Sequence, residues 1–327
     1  MKTLIISKAD VAKVLTPSQA NRSVEKAFKA YGSGKVDMPA KTYLTFKKGD
    51  LRSMPAYLFG QGFDVAGVKC VNVHPHNHRY NLPSVMAVIV LQDPKNGFPL
   101  AIMDGTYLTA MRTGAAGALA AKLLAKKQSR VVGFVGFGMQ ARTQLACLVE
   151  VRKLESIKVW QVPSGIEMAK KFCKWAKRTY HLETALYSDI GDVTTGVDIV
   201  VATTPTRKPI ITRVSKGTHI NAIGADAEGK QEISPRILKR SKIVIDDWDQ
   251  ASHSGEINVP LRKKQITRDN IYGELGEISV GKKKGRVSED EITLFDSTGL
   301  AIQDVACAWT VYEALKDKRG LTRIALF

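Results

Sequence analysis

Four polar residues stand where the surrounding sequence reads as core or tight turn, and each brings its own chemistry. Arg52 lies in Asp50-Leu51-Arg52-Ser53-Met54-Pro55. Arg112 lies in Thr109-Ala110-Met111-Arg112-Thr113-Gly114-Ala115-Ala116, where a long cation among small residues suggests a backbone-lined pocket. Both offer planar guanidinium forks that suit a carboxylate. Lys69 interrupts the apolar run Val65-Ala66-Gly67-Val68-Lys69-Cys70-Val71, and its ammonium can stabilise charge on a carbonyl oxygen. Asp226 ends Ile223-Gly224-Ala225-Asp226, just past a strand, where open α/β sheets bind their ligands, and its carboxylate can move protons. Taken singly, each is as readily a snorkelling cation or a loop cap.

A second kind of signal is Gly136-Phe137-Gly138-Met139-Gln140-Ala141, a G-x-G-x-x-A run between an apolar strand and a helix. Alone the pattern is weak; between strand and helix it is a dinucleotide fingerprint. Gly136 permits the tight turn, Gly138 lets backbone approach a pyrophosphate, and Ala141 allows close helix packing against a helix N-terminus rich in N–H donors. The plainer alternative is a glycine-bearing βα turn with no nucleotide. The second strand of such a unit normally ends in an acid that binds the ribose hydroxyls. Here the run is Val159-Trp160-Gln161-Val162-Pro163-Ser164, so Gln161 takes that place. It can still bond a ribose but does not repel a 2′-phosphate. NAD is the expected cofactor, with NADP open.

The elements that must position these residues follow a strand–helix rhythm. Apolar runs at 130–135, 157–160, 198–203, 219–223 and 242–246 read as buried parallel strands, with helices at 139–154 and 166–180 between them. That order predicts an α/β fold with a doubly wound, Rossmann-type parallel sheet. Residues 41–103 differ: β-rich stretches such as Thr42–Phe46 and Val85–Leu91 are separated by turn signals at Lys48-Gly49-Asp50, Asp93-Pro94-Lys95-Asn96-Gly97 and Asp104-Gly105. A helix rich in small residues, 108–126, leads from there into the first central strand. A final helix at 300–317 carries Ile302, Val305, Ala306, Trp309 and Tyr312 as one stripe and can return to the N-terminal region. The expected division is a second, α+β domain of residues 1–114 with 300–327 for substrate binding and dimerisation, and a dinucleotide-binding domain of 115–299.

Composition narrows the function classes. The 327 residues are 44% hydrophobic and 24% charged, ordinary globular usage rather than that of a disordered chain. Met1–Lys8 reaches charge too soon for a secretory signal, and no run approaches the roughly 20 apolar residues that span a bilayer, so no membrane partner is expected. Four cysteines lie far apart without CxxC spacing, which argues against a disulfide framework or a thiolate zinc site and for a soluble, cytoplasmic protein. The net charge of +18 is spread in short groups with no interleaved aromatic series. It reads as a surface that attracts small anions, with no nucleic-acid partner.

Several other motifs point to structure rather than chemistry. His74-Pro75-His76-Asn77-His78 could bring imidazoles to a metal, but Pro75 breaks strand pairing and no Cys or carboxylate adjoins, so a solvated loop and no metal are expected. Asp246-Asp247-Trp248-Asp249, with His253 and Glu256, reads as a strand end and helix start with acids near the positive helix end. Cys70 reads as a small core residue. Lys282-Lys283-Lys284-Gly285-Arg286 reads as an exposed loop.

Four runs in order, Asp104–Ala116, Gly136–Ala141, Ile223–Asp226 and Asp296-Ser297-Thr298-Gly299, resemble the ornithine cyclodeaminase/μ-crystallin family, and the likeness covers essentially the whole chain. Arg52–Tyr57, Thr203–Pro209 and His219–Asp226 are most similar to its archaeal alanine dehydrogenase branch. The resemblance implies a homodimer joined through the N-terminal domains, with a small-molecule substrate whose carboxylate is held by Arg52, Lys69 and Arg112 beneath a nicotinamide. It implies catalytic roles for Lys69 and Asp226 in the reversible reductive amination of a 2-oxo acid such as pyruvate. It also implies cofactor contacts from Thr113, Gly136, Gly138, Met139, Gln140, Gln161, Thr203, Ile223, Gly224, Ala225 and Thr298. Two departures stand out: Gln161 replaces the acid of NAD-using relatives, and Arg52 stands where ornithine cyclodeaminases carry an acidic residue. Ornithine cyclodeamination, cyclic ketimine reduction and nucleotide-gated binding without catalysis are the alternatives.

Overall fold

The computed structural model describes residues 1–327, which divide into two units, 1–113 with 300–327 and 114–299. In the first, β1 (Thr3–Ile6) is followed by two helices, α1 (Lys8–Val14) and α2 (Pro17–Gly32). Thr16 and Gln19 cap α2 reciprocally, with Pro17 in its first turn. Six strands come next: β2 (Val36–Asp37), β3 (Thr42–Phe46), β4 (Gly49–Leu58), β5 (Val65–Val73), β6 (Val85–Gln92) and β7 (Pro99–Asp104). Alternation along β4 to β6 sends Met54, Ala56, Leu58, Val65, Val71, Ile89 and Leu91 to one buried face. Helix α3 (Thr106–Leu124) then leaves the sheet.

The second unit alternates as its apolar runs require. Its elements are β8 (Val131–Val135), α4 (Met139–Leu148), β9 (Ser156–Trp160), α5 (Ile166–Tyr180), β10 (Glu183–Tyr187), α6 (Ile190–Thr194), β11 (Ile199–Ala202), β12 (His219–Ala222), α7 (Pro235–Leu238), β13 (Ser241–Ile245), α8 (Trp248–Ser254), α9 (Asn258–Arg262), β14 (Ile271–Glu274), α10 (Leu275–Ser279) and β15 (Ile292–Asp296). The strands lie in the order β10-β9-β8-β11-β12-β15-β13-β14, all parallel. Strand order therefore reverses between β8 and β11, the point at whose carboxyl edge open α/β sheets bind their ligands. The expected doubly wound sheet is borne out. Its core includes Phe134 of β8 edge-on to Phe172 of α5, ring centroids 5.2 Å apart, and Phe172→Ala should cost about 3–5 kcal/mol.

The chain closes with α11 (Ala301–Leu315) and β16 (Arg323–Ile324). Helix α11 packs on α2, β4 and β5, and β16 pairs with β1. The first unit's sheet runs β16-β1-β7-β6-β5-β4-β2, with β3 on the other part of β4. No helix of the chain is long and apolar enough to cross a membrane.

One sequence expectation needs correction. Helix α4 stops at Leu148 rather than 154, because the Val151 N–H closes a short turn on Leu148 O at 3.0 Å. Arg152, just beyond, donates to the carbonyls of Ala121, Lys122 and Lys126 at the end of α3. The Lys282–Arg286 run is a loop with Lys282 and Lys284 exposed, as expected, and it is anchored: Arg286 donates to Leu124 O, Ser288 O and Glu291 O, and Lys283 to Tyr272 O.

Candidate active site

In the first unit, Lys69 takes the inward position of β5, paired with Met54 of β4 on one side and Ile89 of β6 on the other. It is wholly buried. Its Nζ lies 2.7 Å from Oδ2 of Asp304, which α11 brings onto the same face, as an ion pair outside hydrogen-bond alignment. The other oxygen, Oδ1, accepts from Arg112 Nε at 2.9 Å, and Arg112 Nη1 donates to Gln303 Oε1 at 2.9 Å. One carboxylate thus holds two cations. These bonds use Nε and Nη1 of Arg112 and leave Nη2 for a ligand. Burial pushes the Lys69 ammonium down to about 7; Arg112 and Lys41 press the same way, while Asp304 opposes them. Lys69 can therefore hold or release a proton near neutral pH.

Arg52 projects from the same face of β4, its backbone opposite Val71, the residue two beyond Lys69. Its Nε donates to Asp50 Oδ1 at 2.8 Å and its guanidinium lies 5.4 Å from the Tyr43 ring centroid. Lys41, just before β3, is also buried. The first unit thus gathers Arg52, Lys69 and Arg112 of the sequence reading, and adds Lys41 and Asp304. Lys41 and Asp304 are residues that reading missed, and Asp304 is the one that pairs with Lys69 and Arg112. The signal was present, since Gln303-Asp304 interrupts the apolar stripe between Ile302 and Val305, yet nothing local shows which cations it would meet.

In the second unit, most residues expected to touch a cofactor lie at the carboxyl ends of the parallel strands. Gly136 follows β8 with φ +114°, and a Cβ there would sit 2.4 Å from Thr203 Oγ1, so only glycine fits. Gly138 caps α4, and a Cβ built on it meets no heavy atom within 4 Å, which marks the open side of the turn. Helix α4 therefore presents its first unpaired N–H groups, with Met139 exposed beside them, to free space. Gln140 Oε1 is buried without a hydrogen-bond partner. Thr203 and Ile223 extend the ladder beyond β11 and β12, bonding Val135 O and Ala202 O at 2.9 Å. Gln161 follows β9, half-buried, its N–H on Tyr187 O. Ala225 is fully buried. Thr298 bonds Asp246 through both N and Oγ1. Thr113, on α3 in the first unit, bonds Thr109 O. An open glycine turn, a free helix start and an adjacent strand crossing form a cradle that fits the pyrophosphate of a dinucleotide.

Asp226 lies in the loop after β12 and pairs with Lys230 at 2.5 Å. The same loop ends at Glu232, which is fully buried. The acid run at 246–256 does more than close a strand and start a helix. Asp247 caps α8, as its position suggested, but Asp246 turns inward to hold Thr298 and Gly299. Buried Glu256 accepts from the N–H groups of Glu232 and Ile233.

Cys70 corrects the sequence reading: it is exposed, because the alternation that buries Lys69 sends its neighbour to the opposite face. The histidine run forms a turn in which the His76 and His78 rings meet edge-on at 6.2 Å.

Residues 1–319 match the family model described as "Ornithine cyclodeaminase/mu-crystallin family". The chain is 46% identical, over its whole length and 99% of the relative's, to an alanine dehydrogenase of Archaeoglobus fulgidus. An archaeal alanine dehydrogenase dimer with bound NAD superposes with a TM-score of 0.95 at 47% identity, covering all of both chains. A Thermococcus litoralis Delta(1)-pyrroline-2-carboxylate reductase in complex with NADH and L-proline follows, with a TM-score of 0.93 and 37% identity over 98% of this chain and 99% of that one.

Proposed function

Since the chain belongs to the ornithine cyclodeaminase/mu-crystallin family, we infer that it is an NAD-dependent enzyme that interconverts pyruvate and ammonia with L-alanine. The observation that carries the reading is the buried Lys69–Asp304–Arg112 cluster, a place for a small carboxylate beside a lysine poised near neutrality. Arg112 Nη2 and Arg52 orient the pyruvate carboxylate. The Lys69 ammonium donates to the carbonyl oxygen, stabilising negative charge as ammonia adds and as water leaves. Asp226 takes and returns the protons of the amine nitrogen. Gly136, Gly138 and the α4 N-terminus hold the dinucleotide phosphates, Gln161 the adenosine ribose, and Thr203 and Ile223–Ala225 line the crevice. Bound NADH supplies the hydride that reduces the imine carbon to the amino-acid Cα. The sum is pyruvate, ammonium, NADH and a proton giving L-alanine, NAD+ and water.

The enzyme acts as a cytosolic homodimer. None of the four cysteines is in a disulfide, which supports a reducing compartment. The outer face of the first sheet, opposite Lys69, exposes Leu44 (60%), Phe46 (46%) and Val88 (49%), an apolar face of the kind that subunits cover.

A second reading, cyclic imine reduction, is favoured by the likeness to the Thermococcus reductase, because the same cations hold any 2-imino carboxylate. Ammonia dependence separates the two. Purified protein with pyruvate, ammonium and NADH should oxidise NADH, followed at 340 nm, only when ammonium is present. Failure with pyruvate alongside ammonia-independent oxidation with a cyclic ketimine would replace the first reading with the second.

A further inference from the structure

The acid that closes the Asp226 loop makes bonds that no step above uses. Glu232 is wholly buried, and its Oε1 accepts from Thr204 N at 2.7 Å and Thr204 Oγ1 at 2.6 Å. Its Oε2 accepts from Gly224 N at 2.9 Å. These donors lie just beyond the ends of β11 and β12, adjacent strands that begin one side of the reversed half of the sheet. Because Gly224 and Glu232 are the two ends of one loop, their bond shuts that loop into a ring containing Asp226 and Lys230. Glu232 is itself held by its own N–H on Glu256, whose backbone N–H in turn bonds Asp296 Oδ1 at the end of β15. Three acids thus hand support along the carboxyl edge of the sheet toward Thr204 and Gly224.

We propose that Glu232 is a positioning residue: its carboxylate fixes the ends of β11 and β12 and the Asp226 ring, and so sets how well this edge of the sheet takes the nucleotide. Three donors converge on it, an arrangement that suits a carboxylate and is spoiled by a proton, which puts a donor among donors. The titratable groups that face it are Lys230 from its own loop and Glu256 from the α8–α9 connection, whose carboxyl is pushed well up by burial and by Glu232 and which is backed by Asp296. Burial pushes Glu232 up to about 7, the bonds from Thr204 and Gly224 and the charge of Lys230 only partly opposing it. Loss of a proton through that range tightens the ring, and gain of one loosens it.

The proposal rests on the reading that the second unit binds a nicotinamide nucleotide, so its test has one arm that needs no nucleotide. Hydrogen exchange of the unliganded full chain at pH 8 should be at least tenfold faster at residues 203–206 and 223–231 in Glu232→Gln than in wild type, with the β9–β10 region unchanged. NADH affinity, from fluorescence titration, should weaken about tenfold in wild type between pH 8 and pH 6. In Glu232→Gln it should be about tenfold weaker at pH 8 and flat across that range. Thr204→Val, which removes a single donor, should shift both readouts in the same direction by about threefold and guards against a Gln variant that does not fold. Unchanged exchange in these variants overturns the latch whether or not NADH binds. Wild-type protein that binds no NADH, together with loosened exchange in the variants, overturns the nucleotide reading and with it the proposed purpose of the latch. NADH binding with the same pH dependence in Glu232→Gln as in wild type overturns the link between latch and affinity.

Discussion

The two units each bury a set of charged side chains, and they neutralise them in opposite ways. In the first, Lys69, Arg112 and Asp304 lean on one another, two cations to one carboxylate, with Arg52 and Lys41 close by. In the second, Glu232, Glu256, Asp296 and Asp246 are saturated by backbone N–H groups from loops at the sheet edge. His219, in the same unit, is held by side chains instead. It bonds Thr293 and Asn221, and burial drives it down to about 3, so it stays a neutral pin. A buried charge is therefore no sign of chemistry by itself. The first set carries a surplus cation, which the proposed substrate carboxylate would meet, whereas the second set spends its acceptors on holding loops in place.

That contrast predicts different consequences for removing each group. Lys69→Ala should lower kcat at least about a thousandfold while NADH affinity stays within twofold, and Asp226→Ala should do the same. Full turnover in either variant, measured by NADH oxidation with pyruvate and ammonium, would remove the role assigned to it. Glu256→Gln should act on stability instead. Its carboxylate serves two backbone donors and a carboxamide serves them less well, so urea unfolding should show a loss of about 1–3 kcal/mol with kcat within threefold of wild type. A large kcat loss in a stably folded Glu256→Gln would blur the distinction between the sets. At the bottom of the scale is Lys170→Ala, which breaks an exposed pair with Glu167 and should change unfolding free energy by less than about 0.5 kcal/mol.

Much of this was readable in the sequence, for identifiable reasons. Parallel strands buried on both faces must be continuous apolar runs, so β8, β11, β12 and β13 announced themselves, and Gly136 and Gly138 marked the turn after the first. Arg52, Lys69 and Arg112 were conspicuous because each interrupts a segment that had every reason to be apolar. Their partner was not, since Asp304 is far from Lys69 in sequence and only the return of α11 to β4 and β5 joins them. Cys70 went wrong because an apolar run hides which of its residues face inward. Glu232 and Glu256 resembled ordinary loop acids, for a side chain that accepts from distant backbone leaves no local pattern.

The central claim is that Lys69 works as an ammonium whose proton is kept by Asp304. It is tested most directly by the pH dependence of kcat/KM for pyruvate, with rates referred to free ammonia, in wild type and Asp304→Asn. Burial holds Lys69 at about 7 against the pull of Asp304, so the wild-type profile should fall as pH rises through about 7. Removing the carboxylate removes the charge that favours the ammonium, and the falling limb should move at least one pH unit lower. Superimposable profiles in the two proteins would contradict the account.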